Sequence, residues 1–202
     1  MSADVELLES LEANIMLYVP GEADIYPNPQ SKEKIYDLNG LDRFMEGEHR
    51  PGHFNGVALV VDRLFDIVGP NRAYFGEKDF QQLAVIRHMA KMAGHNIEIV
   101  ACATVRATTG LALSSRNKLL KPQQLLEAPK IYQTIKEAQN LLFQHTIDEV
   151  KTIISDQINS SPYFNLDYFE IAHASSLQPA QKLVKGEEFV ACIAVLLATF
   201  AL

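Results

Sequence analysis

The sequence predicts an α/β fold in two parts, a parallel sheet with crossover helices and then a small α+β unit. Between residues 57 and 104 the apolar positions switch between helical spacing and short continuous runs, with turns of only a few residues between them. That alternation implies strands joined by right-handed helical crossovers, and hence a parallel sheet. After Asn117 the pattern changes to long helical stripes followed by two strand-like stretches, the order of an α+β unit. The 202 residues suffice for one large domain or two small ones. The change of pattern puts a boundary in the loop 105–116, with residues 1–108 in the first part and 109–202 in the second.

The elements follow in order. Val5, Leu8, Leu11 and Ile15 make a short amphipathic helix that feeds Ile15 to Val19, a buried-strand candidate. Pro27 and Pro29 remove donors and restrict their neighbours, so residues 25–29 are loop. Lys34 to Leu38 reads as a short edge strand ended by Asn39-Gly40. Val57, Val60, Val61, Leu64, Phe65 and Val68 give a helix buried against a sheet, ended by Gly69-Pro70. Residues 72–75 form a buried strand and 80–93 a helix stopped by Gly94. Ile97 to Thr104 forms a further buried strand. Pro122 starts a helix and Pro129 restarts it, with Ile131, Ile135, Ala138 and Leu142 on one stripe. Thr146 to Glu149 is a capping box before Val150, Ile153, Ile154 and Ile158. Leu166 to Ala172 alternates only in part, and Phe189 to Leu202 closes the chain as a buried strand.

Composition narrows the partners. Hydrophobic residues make up 48% of the chain, ample for a core, and charged residues 21%, ordinary for a globular protein. The net charge is -7 and no basic run exists. This argues against nucleic acid or an anionic membrane as partner, and any positive pocket must be local. Cys102 and Cys192 stand far apart without metal-ligand spacing, which reads as two buried, reduced thiols in a cytoplasmic protein with no metal site of its own. Asp4, Glu6 and Glu9 occupy the stretch where a signal peptide needs a basic region. The apolar run at 189–202 is shorter than the roughly 20 residues that span a bilayer.

Two stretches carry chemistry. Gly76 to Asp79 lies on a strand-to-helix turn, and in an open α/β sheet ligands bind outside the carboxyl ends of the strands. Gly76 lets the backbone turn and a ligand approach. Asp79 can cap the helix with Gln82 as reciprocal partner, and the free N–H groups beside Lys78 attract anions. The same residues also suit an ordinary capped helix with a solvated turn. The second stretch, Val105 to Asn117, is rich in hydroxyls and ends in Arg116, whose planar fork suits a phosphate. It suits equally a polar connector whose serines cap the next helix.

Taken together, Arg50-Pro51-Gly52-His53-Phe54, Phe75-Gly76-Glu77-Lys78-Asp79-Phe80-Gln81-Gln82-Leu83 and Gly110-Leu111-Ala112-Leu113-Ser114-Ser115-Arg116-Asn117 resemble the pantothenate synthetase (pantoate–β-alanine ligase) family in order and spacing. The resemblance runs through essentially the whole chain. It implies an incomplete Rossmann-like parallel sheet of nucleotidyltransferase type followed by a small α+β lid domain. It implies ATP-dependent condensation of pantoate with β-alanine through a pantoyl adenylate, with ATP and Mg2+, in a cytoplasmic homodimer. Carried onto matching positions, Lys78 and Arg116 are the catalytic cations. Gly76, Glu77, Lys78, Asp79, Val105, Leu113, Ser114, Ser115 and Arg116 contact ATP, Gln82 holds pantoate, and Arg50 and His53 belong to a loop at the site.

The chain departs from the family's pattern in one respect. The family carries a His-x-Gly-His motif near its start, and the six histidines here, His49, His53, His88, His95, His145 and His173, contain none. Gly52-His53 belongs to the Arg-Pro-Gly-His block. The expectation is therefore the later portion of such an enzyme, inactive alone. The competing readings are a non-catalytic nucleotide- or acid-binding module, or another adenylate-forming enzyme of the same superfamily.

Overall fold

A computed structural model describes residues 2–198, which divide into two compact units between Lys34 and Ile35. The first unit holds helix α1 (Ser2–Glu9), which stops short of Leu11 and Ile15 of the expected stripe, and the single-turn helix α2 (Glu22–Ile25). Ile15 to Val19, expected as a buried strand, is irregular chain, and all five side chains are exposed, Met16 at 93%. A strand exists only by pairing, and among the described residues no strand pairs with this segment. Of the stretch 25–29 expected as loop, Ile25 closes α2 and Tyr26 to Asn28 are irregular. Pro29 then opens one 3-10 turn, whose start is capped where the Ser31 N–H donates to Asn28 Oδ1 at 2.9 Å. Proline is tolerated there because a first-turn N–H has no helical partner to lose.

The second unit begins with extended chain at 35–38, which is not the expected edge strand. The alternation is real, with Tyr36 and Leu38 buried and Ile35 80% exposed. The ladder is missing, and the Tyr36 N–H donates to the Asn55 side-chain oxygen at 2.8 Å instead.

Helices α3 (Glu46–His49) and α4 (His53–Val68) precede strand β1 (Arg72–Gly76), helix α5 (Phe80–Met92) and strand β2 (Glu98–Cys102). The strands pair in parallel from Arg72 opposite Glu98 to Gly76 opposite Cys102, with α5 as the crossover. α4 and α5 pack on each other and bury Phe54, Ala58, Leu59, Leu83, Val85, Ile86 and Met89. Neither strand is buried as expected; their residues are exposed or half-buried. A two-stranded sheet has no inner strand, so each member keeps one unpaired edge.

The C-terminal part holds helices α6 (Pro122–Glu127), α7 (Pro129–Leu141) and α8 (Ile147–Asn159) and the antiparallel strands β3 (Phe164–His173) and β4 (Phe189–Leu197). The capping box at α8 forms: the Thr146 N–H donates to Glu149 Oε2 at 2.8 Å, and the Glu149 N–H to Thr146 Oγ1 at 3.3 Å. Ile147, Val150 and Ile154 of α8 pack on Phe169 and Ile171 of β3, and Ile158 packs with Phe164. The expected closing strand ends at Leu197 and is not buried: it is half-buried from Phe189 to Val195 and exposed at Leu196 and Leu197, and residues 199–202 lie outside the described residues.

The partial alternation of 166–172 has a structural cause. Leu166 faces Val195 and Tyr168 faces Ala194, so Asp167 is an extra residue, a β-bulge. Phe164 before it and Phe169 and Ile171 after it belong to two adjoining core clusters, and Leu166 packs against both. Asp167 and Tyr168 are therefore two consecutive residues turned to the opposite face, which a regular strand forbids.

Candidate functional site

The segment from Leu41 to Phe54 is held by tight contacts. Buried Gln81 of α5 donates its amide to the carbonyls of Leu41 and Phe44, both at 2.8 Å. Gly47 has no room for a side chain: a Cβ there would lie 2.1 Å from the Asp42 carbonyl oxygen. Met45, which precedes α3, has φ +52, a strained value for a residue other than glycine. After α3, Gly52 takes φ +81, a value that favours glycine, and His53 begins α4. Arg50 pairs with Glu46 at 2.7 Å across one helical turn. The His53 imidazole is held below its ordinary value, first by burial, then by the Arg50 charge, with Glu46 opposing and Arg116 adding to the depression. His53 thus lies within the field of both Arg50 and Arg116, drawn from two separate sequence blocks.

Gly76 to Asp79 occupy the expected strand-to-helix turn. Gly76 closes β1 in extended conformation, so the turn itself does not require glycine there; a Cβ would meet nothing within 4 Å, so the space beside it is open. Glu77, Lys78 and Asp79 form one exposed 3-10 turn. Asp79 precedes α5, but its side chain makes no cap hydrogen bond, and the expected box with Gln82 is absent. Its carboxylate accepts from Lys78 Nζ at 2.9 Å instead. The helix-start N–H groups are therefore not occupied by this side chain. Gln82 is half-buried on the first turn of α5.

Residues 105–113 form a small hairpin. Arg106 bridges to Ala112, and the Leu113 N–H donates to the Val105 carbonyl at 2.9 Å, which sets two exposed apolar residues, Val105 and Leu113, side by side. The Arg106 guanidinium lies 3.5 Å from the Tyr132 ring centroid of α7 and donates to the Gly110 carbonyl at 3.2 Å. Ser114 does cap: its Oγ accepts from the Arg116 N–H at 3.3 Å, opening the 3-10 turn Ser115–Leu119. Ser115 and Arg116 are exposed on that turn.

Tyr168 links the stretches. Its phenol is pushed well above the ordinary value by burial and then by the negative charge of Cys192, Glu46, Asp167 and Asp79. Asp79, the partner of Lys78, and Glu46, the partner of Arg50, therefore act on one hydroxyl. His49 lies beside it, with ring centroids 5.5 Å apart, and its Nδ1 is 2.9 Å from Asp167 Oδ1. Among the described residues no hydrogen bond or ion pair joins Lys78 directly to Arg116. Sequence reasoning missed Glu46, His49, Asp167 and Tyr168. The available signal for the last two was the broken alternation of 166–172.

Asp62, Asp66 and His95 offer ligand atoms within 4.8 Å of one another. Asp62 is buried, accepts from the Tyr36 hydroxyl at 2.5 Å and lies 2.6 Å from His95 Nε2, so its oxygens already serve the core network. The thiols differ from expectation. Cys102 is exposed, whereas Cys192 is half-buried, and burial pushes its thiol up to about 11. Among the described residues no helix is long and apolar enough to cross a membrane.

A family model described as pantoate-beta-alanine ligase matches residues 1–202. The chain is 43% identical over 195 residues to a protein of Bacteroides thetaiotaomicron named pantothenate synthetase, covering 96% of this chain and 68% of that one. It is 42% identical over 179 residues to the one of Porphyromonas gingivalis, covering 89% and 63%. The chain thus spans about two thirds of these relatives' length. The structure of pantothenate synthetase from Thermus thermophilus is similar with a TM-score of 0.83 and 36% identity, over 97% of this chain and 72% of that one. That of pantoate-beta-alanine ligase from Francisella tularensis, complexed with beta-gamma ATP and beta-alanine, is similar with a TM-score of 0.64 and 32% identity, over 97% and 69%.

Proposed function

The chain belongs to the pantoate-beta-alanine ligase family, and we propose that it serves the ATP-dependent joining of pantoate to β-alanine. In this reaction a pantoate carboxylate oxygen attacks the α-phosphorus of ATP, a P–O bond forms and pyrophosphate leaves. The amine of β-alanine then attacks the acyl carbon of the pantoyl adenylate. A C–N bond forms, AMP leaves with the carboxyl oxygen, and the amine gives its proton to solvent. The observation that carries this reading is the strand-to-helix turn Gly76–Asp79, with open space beside Gly76 and no side-chain cap from Asp79 on α5, in a chain that matches the family over residues 1–202.

Negative charge builds on the α-phosphate during the first step, and prearranged cations lower that barrier. Lys78 would exchange Asp79 for a phosphate oxygen, and Arg116 would meet a second oxygen from the other stretch. Gly76 leaves open space for the nucleotide, and the N–H groups at the start of α5, which Asp79 does not cap, favour its charge. Val105 and Leu113 offer an apolar shelf for adenine, with Ser114 and Ser115 beside it. Gln82 would hold pantoate, with Arg50 and His53 at the margin. The exposed carboxylates of Glu77 and Asp79 are the hard oxygen donors that Mg2+ takes, and Mg2+ would neutralise phosphate charge there. The assignment extends to a division at 108/109 between a nucleotide-binding part and a lid, and to a cytoplasmic homodimer.

The test is calorimetric titration of the full chain with MgATP and with pantoate, beside an assay of AMP release in ATP, Mg2+, pantoate and β-alanine. Binding that Lys78→Ala and Arg116→Ala each weaken about tenfold or more, with AMP release dependent on pantoate, supports the reading. Binding without AMP release identifies a binding module instead. A chain that binds MgATP but not pantoate belongs to a different acid, and one that binds neither overturns the reading.

A further inference from the structure

We infer that Asp167 is a positioning residue for the Arg50–His53 segment: the bulge in β3 carries its carboxylate to His49, and His49 fixes the turn that leads into Arg50. Three independent observations support this. First, α3 has four residues, too few to hold a helix by itself, so its orientation must come from contacts. Gln81 and the Gly47–Asp42 approach hold its entry, and His49, the last helical residue, has Asp167. Second, the core does not need the extra residue. Phe164, Leu166, Phe169 and Ile171 face the core on both sides of the bulge, and Asp167 adds only a second outward side chain. Third, both outward residues meet one imidazole, Asp167 by its carboxylate and Tyr168 by its ring. The contact is partly sheltered, with His49 37% and Asp167 20% exposed.

The consequence is a mechanical link from the C-terminal sheet to the segment that carries Arg50 and His53. The contact stands by itself; only its value for nucleotide binding rests on the ligase reading. The full chain is compared with Asp167→Asn, Asp167→Glu and, as a control, Lys151→Met, which removes a different polar contact of β3, Lys151 to Glu170 at 2.8 Å. The readouts are the His49 ring nitrogen resonances, amide exchange and MgATP titration. In Asp167→Asn, the Nδ1 resonance of His49 should shift. The amides of His49 and Arg50, bonded to the Met45 and Glu46 carbonyls, should exchange about tenfold faster while the β3–β4 ladder keeps its protection. MgATP should bind several-fold more weakly. Asp167→Glu should restore these properties in part, and Lys151→Met should leave the His49 resonance and the 46–53 amides unchanged. Unchanged exchange at His49 and Arg50, or loosening that spreads equally along β3 and β4, overturns the inference. If the parent chain binds no MgATP, the ligase reading falls and the exchange comparison still decides the role of Asp167.

Discussion

His53 reports the charge around it. Because Arg50 and Arg116 both depress its proton affinity, Arg116→Gln should raise its pKa, and a polyanion bound among these cations should raise it further. The folded value lies below the usual 6.5, so the unfolded chain takes up this proton first as pH falls, and stability from this group declines below about pH 6.5. A proton NMR titration of His53 with and without MgATP measures both effects; a value unmoved by nucleotide would separate Arg50 and Arg116 from the phosphate site. The two thiols offer a second residue-level check. Cys102 is exposed, and Cys192 is pushed up to about 11 by burial and the nearby Glu170 charge. A disulfide reagent at pH 8 should therefore modify one thiol quickly and the other only on unfolding, since the thiolate is the nucleophile. Simultaneous reaction of both would contradict the burial of Cys192.

The longer helices from α4 onward were legible because their signals are local, whereas the single turns α2 and α3 were not. The Thr146–Glu149 box, the proline starts of α6 and α7 and the apolar stripe of α8 need no distant partner, and all are present. Thr146→Ala should cost about 1 kcal/mol in chemical denaturation; a loss below a few tenths would mean that the cap contributes nothing to the folded unit. Strands were less legible because a ladder is a property of two segments. Ile15–Val19 and Lys34–Leu38 have strand-like composition and no strand partner among the described residues. The Gly-Glu-Lys-Asp and Ser-Ser-Arg-Asn stretches could be read from residue type, and their turns could be placed. His49, Asp167 and Tyr168 could not, since their meeting depends on tertiary approach. Gln81 was hidden for the same reason. Its amide serves two backbone carbonyls across a loop, so Gln81→Leu should cost about 1–3 kcal/mol by leaving those carbonyls unpaired. A nearly neutral effect would show that water replaces it.

At the scale of the molecule, β1 and β2 form a sheet of two strands with outer edges that no described strand covers. Such edges favour association between copies, so sedimentation over a tenfold concentration range should show a rising mean mass. Tyr74→Lys, at an exposed position of β1, should reduce it; a mass independent of concentration in both proteins would remove the edge from consideration. β3 has the opposite character. Removing one residue from a strand ordinarily inverts every face beyond the gap. Here a single-codon deletion of Asp167 would leave Phe164, Leu166, Phe169 and Ile171 in plain alternation on the side they already occupy. The strand thus contains one position that its packing does not count, and length at that position is free to change while the hydrophobic layer beneath it stays the same.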